Sequence, residues 1–113
     1  MSSLGAISVI ELAERLGNGD DKLQLIDVRE PEELAIAHIP GFLALPLSQF
    51  SDWSGQLATL LDPHKETLVL CHHGVRSAQF GQWLLHQGFT DVKNIVGGIE
   101  AYACHVDETM PRY

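Results

Sequence analysis

Short apolar runs alternate along the chain with stretches whose apolar positions recur at helical spacing. Ser8-Val-Ile-Glu11 has the form of a capping box, and Leu12, Ala13 and Leu16 continue one helical face until Gly17, Asn18 and Gly19 stop it. Leu23 to Val28 reads as a buried strand, and Arg29-Glu-Pro31 as the turn after it. Pro31 suits the first position of a short helix reaching about Ala37, with Glu32 and Glu33 where the helix dipole favours negative charge. His38 to Gly41 is loop, and Phe42 to Leu45 is a second short strand ending at Pro46. A helix is predicted over Trp53 to Leu61, ended by Asp62-Pro63. Thr67 to Leu70 is a strand that runs straight into Cys71. From Ser77 to Gln87, with the start placed near Arg76 or Ser77, Phe80, Gly81, Leu84 and Leu85 share a helical face, and Gly88 caps its end. Val92 to Val96 is the last strand, Gly97-Gly98 breaks it, and Ile99 to Ala103 has room for one further helical turn. The tail from Asp107 to Tyr113 shows no period.

Strands and helices in alternation predict an α/β fold: one domain with a mostly parallel central sheet covered by helices on both faces, its core spanning about residues 5–106. A chain of 113 residues suffices for one such core without staples. Ligand sites in open sheets of this kind lie beyond the carboxyl ends of strands. Two candidate constellations stand at such ends: Cys71 with its following loop, and Asp27-Val28-Arg29.

Charge narrows the partners. The 15 acidic residues outnumber the 7 basic ones for a net charge of −8, which argues against nucleic acid and suits a basic protein partner. Two cysteines make no disulfide framework and have no metal-ligand spacing, so no metal or organic cofactor is expected. The first ten residues lack the basic-then-apolar pattern of a secretory leader, and no apolar run approaches a membrane span. Free thiols fit a reducing compartment, and the cytoplasm is the expected location.

The loop after Cys71 carries the chemistry. Cysteine is often a small core hydrophobe, and after Leu68-Val-Leu70 that alternative has weight. His72, His73, Gly74, Val75 and Arg76 make a poor core and a good electropositive setting for a reactive thiol. Gly74 permits backbone angles that turn N–H groups inward, and the helix N-terminus adds more unpaired donors. The expected arrangement is a small anion-binding cup of main-chain donors from residues 72 to 76 around a thiolate. Arg76 is expected to add positive charge or to grip a planar or forked anion. His72 and His73 are placed to tune the thiol or touch a donor, or else are simply exposed loop residues.

Three stretches together resemble the rhodanese-like sulfurtransferase family along nearly the whole chain: Leu25 to Glu33 with His38-Ile-Pro-Gly41, Cys71-His-His-Gly-Val-Arg76, and Gly97-Gly-Ile-Glu-Ala-Tyr102. The resemblance implies that Cys71 accepts a sulfane sulfur from a donor such as thiosulfate as a persulfide, then yields it to cyanide or a thiol, small or on a protein. It also implies that Asp27 and Arg29 brace the site, with Arg29 expected to pair with Glu33 one helical turn on. Ala37, Leu34 and Tyr102 depart from the family pattern, in ways that alter packing and leave the chemistry intact. Cys104 lies outside the motif, with a structural or idle role favoured over resolving a persulfide. A sulfur relay or redox-sensing module remains an alternative. A cysteine-dependent phosphatase or arsenate reductase is disfavoured, because those loops place five residues between cysteine and arginine and this one places four.

Overall fold

The computed structural model describes residues 3–113. Five strands, β1 (Gly5–Ile7), β2 (Gln24–Asp27), β3 (Leu43–Ala44), β4 (Thr67–Leu70) and β5 (Val92–Ile95), form one sheet in the order β1-β5-β4-β2-β3. Every pairing is parallel. The helices are α1 (Val9–Gly17), α2 (Pro31–Ile36), α3 (Phe50–Trp53), α4 (Leu57–Leu60), α5 (Val75–His86) and α6 (Gly98–His105). This is the expected α/β sheet with helices on both faces. Among the described residues, no helix is long and apolar enough to cross a membrane.

The central strand β4 shows how the two-residue period distributes the core. Leu68 and Leu70 face one side, with Ile7 of β1, Leu12 of α1, Ile95 of β5 and Ile99 of α6. Val69 and Cys71 face the other, with Ile26, Val28, Trp53, Leu57, Phe80 and Leu84. All four residues of β4 are buried, and each large aliphatic side chain so placed contributes roughly 1.5–3 kcal/mol. The same alternation turns the Cys71 side chain toward α5.

Four elements depart most from the sequence pattern. Strand β1 went unpredicted: it is a three-residue edge strand that begins with Gly5 and gains its order by pairing with β5. The helix predicted over 53–61 begins earlier and is broken, with 3-10 turns at Leu47–Gln49 and Ser54–Gln56 around α3 and before α4. Ser54 and Gly55, both weaker helix formers than alanine, stand at the break. Meanwhile Trp53 donates its Nε1 hydrogen to Pro46 O (2.9 Å) and packs edge-on against Phe50 and Phe80. Helix α5 starts at Val75, one or two residues early, and α6 continues to His105, well beyond a single turn.

Candidate active site

Cys71 leaves β4 at its carboxyl end, in the middle of the sheet, and after four intervening residues Arg76 lies in the first turn of α5. Gly74 is the residue before the helix and has φ +99°, a region that L side chains rarely adopt. This conformation brings the Gly74 N–H to 3.0 Å from Cys71 Sγ. A Cβ at Gly74 would also sit 3.2 Å from Gly97 N, so the loop lies close against the start of α6.

The loop's carbonyls are tied back elsewhere. Cys71 O accepts from Ile99 N (2.9 Å), His72 O from Glu100 N (3.1 Å), and Gly74 O from Asn94 Nδ2 (3.0 Å). Two of these donors are first-turn N–H groups of α6, which have no intrahelical partner. The close approach needs Gly98, whose φ is +60°. A Cβ there would come within 2.4 Å of both Cys71 O and His72 O. The glycine pair near the end of the sequence thus seats α6 under the cysteine loop.

Two expectations for the cup change. Cys71 is 1% exposed, so its sulfur forms the floor of the loop and not an open rim. Exposure resumes at His73 and at Val75, which is 66% exposed. Among the described residues, the backbone donor on Sγ is the Gly74 N–H; the expected ring of donors from 72 to 76 has not closed on the sulfur. The other partner of Sγ is a side chain, the Ser77 hydroxyl at 3.2 Å.

The charges are also paired differently. Arg29 does not form its ion pair with Glu33. It is fully buried and binds Asp27, with Nη2 to Oδ2 at 2.8 Å and Nε to Oδ1 at 3.0 Å. Its remaining donors reach Ala37 O (2.9 Å), Glu33 O (3.4 Å) and the Tyr113 hydroxyl (3.0 Å). All five guanidinium hydrogens therefore have acceptors, and α2 is clamped to the end of β2. Glu33 turns its carboxylate to Arg76, with two parallel bonds of 2.7 and 2.8 Å. Sequence spacing places Glu33 one turn from Arg29, but strand β2 ends so that Asp27 is nearer.

The Arg76 guanidinium holds the Glu33 carboxyl down at about 2, against an opposing effect of burial. A carboxylate depressed on folding adds stability above its ordinary range and loses it as pH falls toward the folded value. Stability is therefore expected to decline between about pH 4.5 and about pH 2 as Glu33 is protonated. Glu66, held at about 2 by Arg15 and by Lys93, titrates in the same window. Glu33→Gln should remove roughly a third to a half of that acid-side loss in denaturant titrations repeated across this range. An unchanged acid slope would mean that the pair contributes nothing.

His72 is held between two rings, His73 and Tyr113, each with its centroid 3.9 Å away. Among the described residues its buried Nε2 has no hydrogen-bond partner, and burial followed by the charge of His73 keeps the imidazole below its ordinary range. Glu100 brings a carboxylate near both histidines, with ligand atoms of the three residues within 4.8 Å of one another. The Glu100 carboxylate is bound by Arg112. Cys104 is partly buried and donates to Glu100 Oε1 at 3.6 Å.

A hollow of about 480 Å³ is lined by Phe50, Leu57, Leu61, Pro63, Trp83 and Phe89, among others. Pro63 and Phe89 precede β4 and β5, so this hollow opens at the end of the sheet away from Cys71.

The Rhodanese-like domain family matches residues 8–104. The chain belongs to the rhodanese-like family. A crystal structure of a rhodanese-like domain protein from Staphylococcus aureus superposes with a TM-score of 0.77 at 28% identity, covering 97% of this chain and 99% of that one. Rhodanese-like/PpiC domain-containing protein 12, chloroplastic, of Arabidopsis thaliana is 52% identical over 82% of this chain and 31% of its own length. The putative sulfur carrier protein YrkF of Bacillus subtilis is 35% identical over 87% of this chain and 50% of its own. The chain thus spans 31% and 50% of the lengths of these two curated relatives.

Four residues at this rhodanese-like site have no place in the sequence reading of the loop. Glu33 reaches Arg76 across 43 positions, which no local pattern reveals. Tyr113 sits in the tail without period. Ser77 and Asn94 carried a readable signal: a serine on the apolar face of α5, and an amide inside a strand.

Proposed function

We propose that this rhodanese-like chain carries sulfane sulfur on Cys71 as a sulfurtransferase. One observation carries the reading: the cysteine sulfur has a main-chain N–H directed at it, while the carbonyls of the same loop are held away by α6 and β5. Such a setting favours negative charge on a sulfur atom and discourages other roles for a buried thiol. The Cys71 thiolate attacks the outer sulfur of thiosulfate. A sulfur–sulfur bond forms to Cys71, the one within thiosulfate breaks, and sulfite leaves with the electron pair. Cyanide or a thiolate then attacks the terminal sulfur, and the electrons of the broken bond return to Cys71. Both steps are displacements that need no external oxidant, metal or organic cofactor.

Arg76 serves an anionic donor by exchanging Glu33 for the donor's oxygens; the bidentate pair stores the guanidinium in a fixed position until then. Asp27 and Arg29 hold α2, and through it Glu33. His72, His73, Gly74 and Val75 form the loop that the donor must pass. The four residues between Cys71 and Arg76 support a cup for one sulfur over a phosphate. A redox-sensing role needs the same access to Cys71 and is told apart by dithiothreitol-reversible oxidation without sulfur loading. A relay in which proteins are donor and acceptor shares the same chemistry, and the YrkF relative bears a sulfur-carrier name. The free thiols Cys71 and Cys104 suit a reducing compartment such as the cytoplasm.

The test is mass spectrometry of the intact chain after incubation with thiosulfate, followed by peptide mapping. The chain is expected to gain one sulfur atom, located on Cys71 and lost on adding cyanide. Sulfur found on Cys104, or turnover of a phosphomonoester without sulfur uptake, overturns the proposal.

A further inference from the structure

We infer that Asn94 on β5 controls how readily Cys71 ionises, by competing with its sulfur for the single hydrogen of the Ser77 hydroxyl. Ser77 is fully buried in the first turn of α5, and its Oγ lies between two acceptors. Cys71 Sγ is 3.2 Å away, and Asn94 Oδ1 is within hydrogen-bond distance on the other side. A hydroxyl has one hydrogen to give. The Asn94 amide is fixed in orientation, because its Nδ2 donates to Gly74 O at 3.0 Å and turning it over would set two oxygens against each other.

With Cys71 protonated, every group is satisfied. The S–H donates to Ser77 Oγ, and the Ser77 O–H donates to Asn94 Oδ1. When the thiol proton passes to solvent, the sulfur becomes an acceptor only. Ser77 then serves it by withdrawing its hydrogen from Asn94, which leaves the amide oxygen without a donor. Ser77 therefore favours the thiolate and Asn94 opposes it. In a persulfide the charge moves to the terminal sulfur, and the hydroxyl hydrogen returns to Asn94. A donor is thus offered to Sγ when it carries charge: before attack, and again when it leaves as the acceptor takes the sulfur. Ser77 and Asn94 act as positioning residues for the proposed transfer.

The inference rests on Cys71 being the nucleophile of that reading, but its test needs no sulfur transfer. The rate of alkylation by iodoacetamide is measured against pH on the full chain carrying Cys104→Ser, so that Cys71 is the thiol followed. Ser77→Ala is expected to raise the midpoint of that profile by about one to two pH units, the worth of a hydrogen bond to a charged group. Asn94→Ala is expected to lower it by about half a unit to one unit when Ser77 is present, and to leave it in place in the Ser77→Ala background. Arg76 of α5, its partner Glu33 of α2, His72 and His73 of the loop, Glu100 of α6 and Tyr113 of the tail surround this region. They are common to all variants and cancel in the comparison. If Asn94→Ala shifts the midpoint equally in both backgrounds, Asn94 acts through Gly74 alone and the inference fails. Should that variant not fold, Asn94→Asp replaces it; the midpoint must rise further with Ser77 present than without, and equal rises overturn the inference. Loss of sulfur loading in a chain that keeps this coupling refutes the proposed function and spares the inference.

Discussion

Cys71→Ser is expected to abolish sulfur uptake completely while leaving the fold in place. The hydroxyl retains the two partners of the thiol, the Gly74 N–H and Ser77 Oγ, so the loop keeps its local bonds. What disappears is the only chemistry at issue. An alcohol at neutral pH is a far weaker nucleophile than a thiolate, and the Gly74 N–H and Ser77 hydroxyl beside it supply no base to activate it. The intact mass should stay unchanged after exposure to thiosulfate, and thiocyanate formation should fall to the rate without protein. Stability should move by no more than about 1–2 kcal/mol, because oxygen replaces sulfur at a buried site where hydrogen-bond partners already exist. A thermal melt that collapses would show that Cys71 is chiefly a packing residue. Uptake that persists would transfer the role to Cys104, whose sulfur lies against Glu100 and outside the loop.

The parts of this site legible in the sequence are those whose causes are local. An apolar run that stops at Cys71, a glycine three residues later and a helical face from Phe80 onward required β4, a tight loop and α5 in that order. The structure adds Val75 to the helix because Gly74, at φ +99°, completes the turn by itself. The glycines at 97 and 98 could be read as a break; that the break seats α6 on the carbonyls of Cys71 and His72 could not. Charge pairing was the least legible feature. A spacing of four suggested Arg29 with Glu33 on one helix face, but Arg29 lies before α2, on extended chain. There, residues two apart share a side, and Asp27 is the neighbour. Glu33 is left free to cross to Arg76. Burial was misjudged for a related reason. Cys71 continues the two-residue alternation of Val69, so its side chain enters the core under α5 even though the strand has ended. Between residues 47 and 60, side-chain packing around Trp53 decided the path, and helical spacing alone predicted too regular an element.

Arg29→Ala is expected to cost about 3–5 kcal/mol, because it strands the Asp27 carboxylate, itself 1% exposed, without a counter-charge. A domain of this size commonly has only about 5–15 kcal/mol in total, so the melting temperature should fall by about 15 °C. Asp27→Leu combined with Arg29→Met should recover much of the loss, since replacing both members of a buried pair by apolar groups removes the unpaired charge. That non-additivity separates an ion pair from two independent packing contributions. Equal and additive losses would mean that Arg29 matters for its bulk. The consequence reaches the cysteine loop. Arg29 fixes α2 through the carbonyls of Glu33 and Ala37, and α2 fixes Arg76 through the Glu33 carboxylate. In the double variant those two carbonyls have lost their donors while the core is repaired. Sulfur loading by thiosulfate should therefore remain slower than wild type after stability has largely returned. Full recovery of both would separate the Asp27–Arg29 pair from the chemistry and leave Glu33 to position Arg76 alone.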